Sequence, residues 1–137
     1  MLPAHIANYR AVQIRTSSPG EVLLALYDGL FKFLQLAKHS IRNRNAGRAG
    51  EALSRAHAIL SELYGSLDHS QYPELCKNLA RLYDFCLMRL TYANRHRNVD
   101  VIDEVMRVLT PVREANREAV KRVAAEARVE VRAGGGR

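Results

Sequence analysis

The 137 residues include only two cysteines, four prolines and eight glycines. Glycine and proline are too few for a fibrous or low-complexity chain. Cys76 and Cys86 stand ten apart, an interval that suits neither a C-x-x-C redox or zinc element nor a disulfide framework, so in a reducing compartment both read as small buried hydrophobes. No run of about 18 uninterrupted apolar residues offers a membrane span, and the first twenty residues hold no basic start followed by an apolar stretch. The expectation is a cytosolic protein without membrane insertion.

Catalytic chemistry is equally scarce. His5, His39, His57, His69 and His96 are scattered without metal-ligand spacing. A di-iron bundle needs Glu-x-x-His, and no Asp or Glu here is followed three positions later by histidine. Asp68-His69-Ser70 reads as a local turn, because a triad is a spatial arrangement that contiguous residues seldom make. No glycine-rich loop follows a strand. Neither an enzyme, a cofactor nor a metal is expected.

Present instead are 47% hydrophobic and 26% charged side chains, enough for one compact domain with a buried core. Apolar residues recur at three and four, and Ala, Leu, Arg and Glu dominate, so the class is all-α. The first helix opens at Ser18-Pro19-Gly20-Glu21, with Ser18 as cap, Pro19 at the first helical position and Glu21 as capping-box partner. It runs to about Arg44 on a seam of Leu23, Leu26, Leu30, Phe33 or Leu34, Ala37 and Ile41. After a break at Asn45-Ala46-Gly47 a second helix carries Ala49, Ala52, Leu53, Ala56, Ile59, Leu60, Leu63 and Tyr64. A third spans about Ser70 to Arg97 on Leu75, Leu79, Leu82, Cys86, Leu90 and Ala93. The fourth opens at Asn98, with Asp100, Asp103 and Glu104 near the positive end of its dipole, and continues on Val101, Val105, Leu109, Val112 and Ala119. Pro111 predicts a kink, or a restart capped by Thr110. Short connections imply an antiparallel up-and-down four-helix bundle over 18–128. Residues 129–137 read as a loose tail, and 1–17 as an irregular segment too apolar (Leu2, Ile6, Tyr9, Val12, Ile14) to be idle.

Two surface features bear on function. On the first helix the polar residues are confined to Asp28, Lys32, Gln35 and His39, leaving Leu24, Tyr27 and Phe31 as a second apolar stripe. The third likewise has Cys76, Leu79, Tyr83 and Leu87, and Phe85, Met88 and Tyr92 besides. Diagonally opposed helices share one core, so this surplus must be covered by the N-terminal segment, by another chain, or left open, and open patches mark interaction sites. The net charge of +7 raises nucleic acid as a partner, yet it is spread thinly along the chain. Arg42, Arg44, Arg48, Arg95, His96 and Arg97 are brought to one end by antiparallel connectivity. They suit solvated helix termini, an acidic partner, or, as the alternative function, nucleic acid. The pairs Asp28 and Lys32, Glu51 and Arg55, Asp103 and Arg107, and Glu118 and Arg122 have i to i+4 spacing.

Taken in order, several elements resemble the FliS family of flagellar secretion chaperones: Thr16-Ser17-Ser18-Pro19-Gly20-Glu21, Leu26-Tyr27-Asp28-Gly29, Glu51-Ala52-Leu53-Ser54-Arg55-Ala56, Leu67-Asp68, Asn78-Leu79, Leu82-Tyr83-Asp84, Arg89-Leu90, Ala93-Asn94 and Val101-Ile102-Asp103-Glu104-Val105. The likeness covers about residues 6–118. It departs at Asn116, where the family usually has tryptophan, and at Phe31, where a small residue is typical. The resemblance implies a cytosolic bundle that binds the disordered C-terminal region of flagellin, prevents premature polymerisation and escorts it to the flagellar type III export apparatus. Other flagellar export proteins are an alternative client class. Ile6-Ala7-Asn8-Tyr9 matches the family's Ile-x-x-Tyr element, which implies that Ile6 and Tyr9 cover part of the client surface. For the groove itself, their places on helices two and three nominate Leu60, Leu63, Tyr64, Leu79, Tyr83, Cys86 and Leu87.

Overall fold

The computed structural model describes residues 18–135. The N-terminal segment, with Ile6 and Tyr9, lies outside them. The described chain is four helices with no strand: α1 Pro19–Arg42, α2 Ala46–Gly65, α3 Pro73–His96 and α4 Val99–Gly135. Each packs on the next and α4 returns to α1, a closed ring of four antiparallel rods.

Local chemistry sets the helix ends. Ser18 accepts from the Glu21 amide at 3.2 Å, with Pro19 supplying a first-turn residue that needs no donor. Two of the three connections use one device. At the end of α1, Arg44 adopts φ 57° and the Asn45 amide donates to the Ser40 carbonyl at 2.8 Å; Asn45 Oδ1 then accepts from the Arg48 amide and starts α2. At the end of α3, Arg97 adopts φ 53°, the Asn98 amide donates to the Ala93 carbonyl at 3.3 Å, and Asn98 Oδ1 caps α4 through Val101. These are Schellman stops followed at once by an N-cap. In both, arginine holds the left-handed position that glycine fills most cheaply, at a cost of roughly 1–2 kcal/mol for a residue with a Cβ. The longer connection after α2 is an Asx turn in which the Ser70 amide and hydroxyl bind Asp68 Oδ1, holding that carboxyl below its usual range.

Burial corrects the stripe assignments. The polar line Asp28, Lys32, Gln35 and His39 is the exposed line of α1. Its second apolar stripe is not surplus, however: Tyr27 and Phe31 are buried with Leu26, Leu30, Leu34 and Ala37. Phe31 lies beneath the Arg113 guanidinium of α4, 4.6 Å from its ring centre, and Arg113 also pairs with Asp28. On α3 the buried face is Cys76, Tyr83, Cys86, Leu90 and Ala93, with Leu79 and Leu82 half-buried and Leu75 exposed.

α4 departs further from expectation. It does not restart at Pro111, and Thr110 is no cap: the helix is continuous, and Thr110 Oγ1 donates to the Met106 carbonyl one turn back at 2.7 Å. Ala119 is exposed, and Val120 instead meets α1, its Cγ2 so close to Gly20 that a Cβ there would stand at 2.9 Å. Gly20 is the close-approach glycine of the fold. The helix also passes the expected end near Arg128 and continues to Gly135, carrying Val123, Val129 and Val131 exposed. Only Glu130, Arg132 and Ala133 of that extension are strong helix formers, beside two valines and two glycines.

Cross-helix ion pairs tie the ring: Lys38 with Asp103 at 2.5 Å, Asp28 with Arg113, and Arg89 with Glu104 at 3.2 Å. Of the four expected i to i+4 pairs, Glu51 with Arg55 forms, at 2.7 Å. Asp28 and Asp103 turn to cations on neighbouring helices instead.

Candidate functional site

The residues nominated for a groove divide into two groups. Leu60, Leu63, Tyr83 and Cys86 are buried in the central core and present nothing to a visitor. They lie on the inner part of apolar stripes whose outer part borders solvent, and spacing alone does not separate the two. Tyr64 is 40% exposed, and Leu79 and Leu87 are half-buried. These three remain at the surface, but not on one side of α3. Leu87 lies away from Arg89, which reaches Glu104 of α4, and so borders α2, whereas Leu79, four residues before Tyr83 and seven before Cys86, continues the inner face of α3 and packs against the core.

Between α2 and α3 runs an open groove. Leu53, Ser54 and His57 line it from α2 and Leu90, Thr91 and Asn94 from α3, around a hollow of about 190 Å³. Helical register continues it: from His57 two steps lead to Tyr64, and from Thr91 one turn back leads to Leu87. A smaller hollow of about 120 Å³ opens between α1 and α2, lined by Phe33, Leu36, Ala52 and the Glu51–Arg55 pair, with the Arg55 guanidinium 5.5 Å from the Phe33 ring centre. Ser54, His57, Thr91 and Asn94 were not singled out in the sequence. The signal for them was their place at the polar edge of stripes that were recognised.

Behind the groove the core carries a polar bridge. The Tyr27 and Tyr83 hydroxyls, from diagonally opposed α1 and α3, bond to each other at 2.5 Å. Burial raises both phenols above their ordinary range, the bond from Tyr27 offsetting part of the effect at Tyr83. Burial, with the Glu104 charge adding, pushes the Cys86 thiol up to about 12, the environment of an inert thiol. The other thiol, Cys76, donates to the Asp68 carbonyl at 3.2 Å. Among the described residues no three His, Cys, Asp or Glu side chains gather as a metal ion requires, and no helix is long and apolar enough to cross a membrane. What the arrangement offers is a shallow channel of mixed lining, its base closed by the buried Leu53 and Leu90 and its edges formed by Ser54, His57, Thr91 and Asn94 with Tyr64 and Leu87 beyond, against which an amphipathic helix can lie.

Comparison with known proteins gives the same direction. Residues 2–123 match the family model described as Flagellar protein FliS. The Flagellar secretion chaperone FliS of Bacillus subtilis (strain 168) is 33% identical over 82% of this chain and 84% of its own length. That of Campylobacter jejuni is 34% identical over 80% and 86%, and that of Salmonella typhimurium 32% over 74% and 76%. A solved structure described as that of a flagellar chaperone from bacteria superposes with a TM-score of 0.72 at 23% identity, covering 88% of this chain and 99% of that one, a likeness of fold. With a family model matched over most of its length and relatives above 30% identity, the chain belongs to the FliS family, a family of flagellar secretion chaperones and not of enzymes.

Proposed function

We propose that this protein is a cytosolic export chaperone that takes the disordered C-terminal region of flagellin into the α2–α3 groove, keeps it from polymerising early, and hands it to the flagellar type III export apparatus. The observation that carries the reading is the open channel between α2 and α3, with the exposed Tyr64 and the half-buried Leu87 at its end. Client residues docking as a helix would meet Tyr64 and Leu87 as apolar contacts at one end, while Leu53 and Leu90 close the base of the channel from within the core. Ser54, His57, Thr91 and Asn94 would supply hydrogen bonds at the rim. Ile6 and Tyr9 serve in this reading as a displaceable cover of the client surface, and Leu60, Leu63, Tyr83 and Cys86 as the packed wall behind it. Leu79, four residues before Tyr83 on α3 and packed against the core, belongs with that wall. At about 25 cal/mol per Å² of apolar surface, covering a few hundred Å² stabilises the complex by several kcal/mol. Ordering a disordered client offsets part of that, which leaves the complex reversible enough for release.

Capture of full-length flagellin, and of flagellin lacking its C-terminal segment, by the purified protein tests the reading. Full-length client is expected to bind and the truncated client to be lost. Ser54→Arg and Tyr64→Glu, both at exposed positions, are expected to weaken capture about tenfold while leaving the helical signal intact. Undiminished capture of the truncated client refutes this mode of binding.

A further inference from the structure

We infer that the end of the bundle built by the two Arg-Asn connections, together with the outward stripe of α3 that runs into it, is a docking surface for an acidic amphipathic helix of a partner protein. This surface lies on a different side of α3 from the α2–α3 groove, and the inference does not rest on the flagellin reading.

Five exposed arginines, Arg42, Arg44, Arg48, Arg95 and Arg97, stand at this end, and none is in an ion pair among the described residues. The fold gathers what the sequence spreads out: the Arg97 guanidinium crosses to α2 and lies 3.6 Å from where a Cβ on Gly50 would stand. Carboxylates are sparse here. Glu51 is held by Arg55, and Asp100 sits in the first turn of α4. The helix dipole accounts for Arg42 and Arg95, in the last turns of α1 and α3, but not for the other three. Arg48 is in the first turn of α2, where the dipole disfavours a cation, and Arg44 and Arg97 occupy left-handed positions that disfavour any residue but glycine. Arginine is present three times where backbone conformation or the dipole opposes it, and of the three Arg97 also serves the fold, its guanidinium donating to Asn94 Oδ1 at 2.7 Å.

The second observation is apolar. Phe85, Met88, Tyr92 and His96 follow one another at three and four on the side of α3 opposite Tyr83, Cys86 and Leu90, and Met88 is 73% exposed. The His96 ring lies 4.3 Å from that of Tyr92, so the stripe runs unbroken into the arginine end, over about 16 Å at 1.5 Å per residue. Asp84 and Glu74 lie towards the far end of the helix. A partner that matches both features is a helix of about three turns with an apolar face and a carboxylate-rich end, the helix-to-surface mode of recognition with arginines as carboxylate forks. Single-stranded nucleic acid can stack bases on Phe85 and Tyr92, but Met88, the most exposed apolar residue of the stripe, offers no ring for one.

Fluorescence anisotropy on the full chain tests it with three probes: two helical peptides sharing leucines at i, i+3, i+4 and i+7, one with glutamates and one with lysines between them, and a single-stranded oligonucleotide. The glutamate peptide is expected to bind and the lysine peptide not. Met88→Glu, and separately Arg44→Glu with Arg97→Glu, are expected to weaken binding of the glutamate peptide about tenfold, and the groove variant Tyr64→Glu to leave it unchanged. Arg44→Gly separates recognition from architecture: it relieves the left-handed backbone, so Tm is expected to rise while affinity falls. Failure of the glutamate peptide to bind, equal binding of both peptides, tighter binding of the oligonucleotide, insensitivity to Met88→Glu, or a raised Tm with unchanged affinity overturns the inference.

Discussion

The Tyr27–Tyr83 pair is the side-chain contact on which the packing of diagonal helices most directly depends. Each hydroxyl is buried and each is satisfied by the other, and no buried side-chain polar atom among the described residues lacks a partner. Removing one hydroxyl therefore leaves the other buried and unpaired. Tyr27→Phe or Tyr83→Phe alone is expected to destabilise by about 1–3 kcal/mol, and the double substitution by less than the sum, because two apolar rings leave nothing unsatisfied. Urea denaturation of the four members of this cycle measures it. Additive losses would mean that the hydroxyls act separately. Tyr27 and Tyr83 lie 56 apart in the sequence, and only the assembled ring brings them together. Gly29, in the interior of α1, marks no close approach, since a Cβ there would meet Ile59 Cδ1 at an ordinary 3.6 Å, whereas one on Gly20 would stand 2.9 Å from Val120 Cγ2.

Among the elements, α4 combines the strongest local conflict with unbroken helix. Pro111 deprives the Arg107 carbonyl of its i+4 amide and crowds the preceding turn, yet the helix passes through it, held by Val101, Ile102, Val105 and Leu109 in the core and by Arg113 and Arg117 reaching Asp28. Pro111 is exposed, so Pro111→Ala restores a donor without disturbing the core. The expected outcome is a gain of up to about 3 kcal/mol, seen as a higher denaturant midpoint at unchanged slope. A loss would mean that the shape proline imposes is needed to seat α4 on α1. Tertiary override of this kind marks the limit of what was legible. Helix starts at Ser18-Pro19 and Asn98 could be read because capping acts within four residues, and the helical class because period is a local property. The partners of Asp28 and Asp103 could not, because i to i+4 neighbours compete with cations 85 and 65 residues away in the chain. The same holds for the groove. Tyr64 is exposed and Leu87 half-buried, but Leu60, Leu63, Tyr83 and Cys86 face inward, since an apolar stripe does not disclose how far its neighbours cover it.

At the scale of the whole molecule, burial of three weak acids links stability to pH. Tyr27, Tyr83 and Cys86 are all raised in the folded chain, chiefly by burial, the thiol from 9.0 to about 12. The unfolded chain releases these protons near ordinary values while the folded chain keeps them, so above those values the folded state binds more protons than the unfolded. Stability is then fully present below about pH 9 and is lost as pH rises, at about 1.4 kcal/mol per pH unit for each group that has titrated in the unfolded state alone. Above about pH 10 three groups act together, and a domain stabilised by about 5–15 kcal/mol withstands this for only a few units. Cooperative loss of helical signal is expected in that alkaline range, with tyrosinate absorbance from the buried pair rising in the same transition. Because the Tyr27→Phe, Tyr83→Phe double variant leaves Cys86 as the sole remaining group of the three, its transition is expected at higher pH and with a shallower dependence. An alkaline transition unmoved by that double substitution would show that the closed centre of the bundle is not where the protons are held.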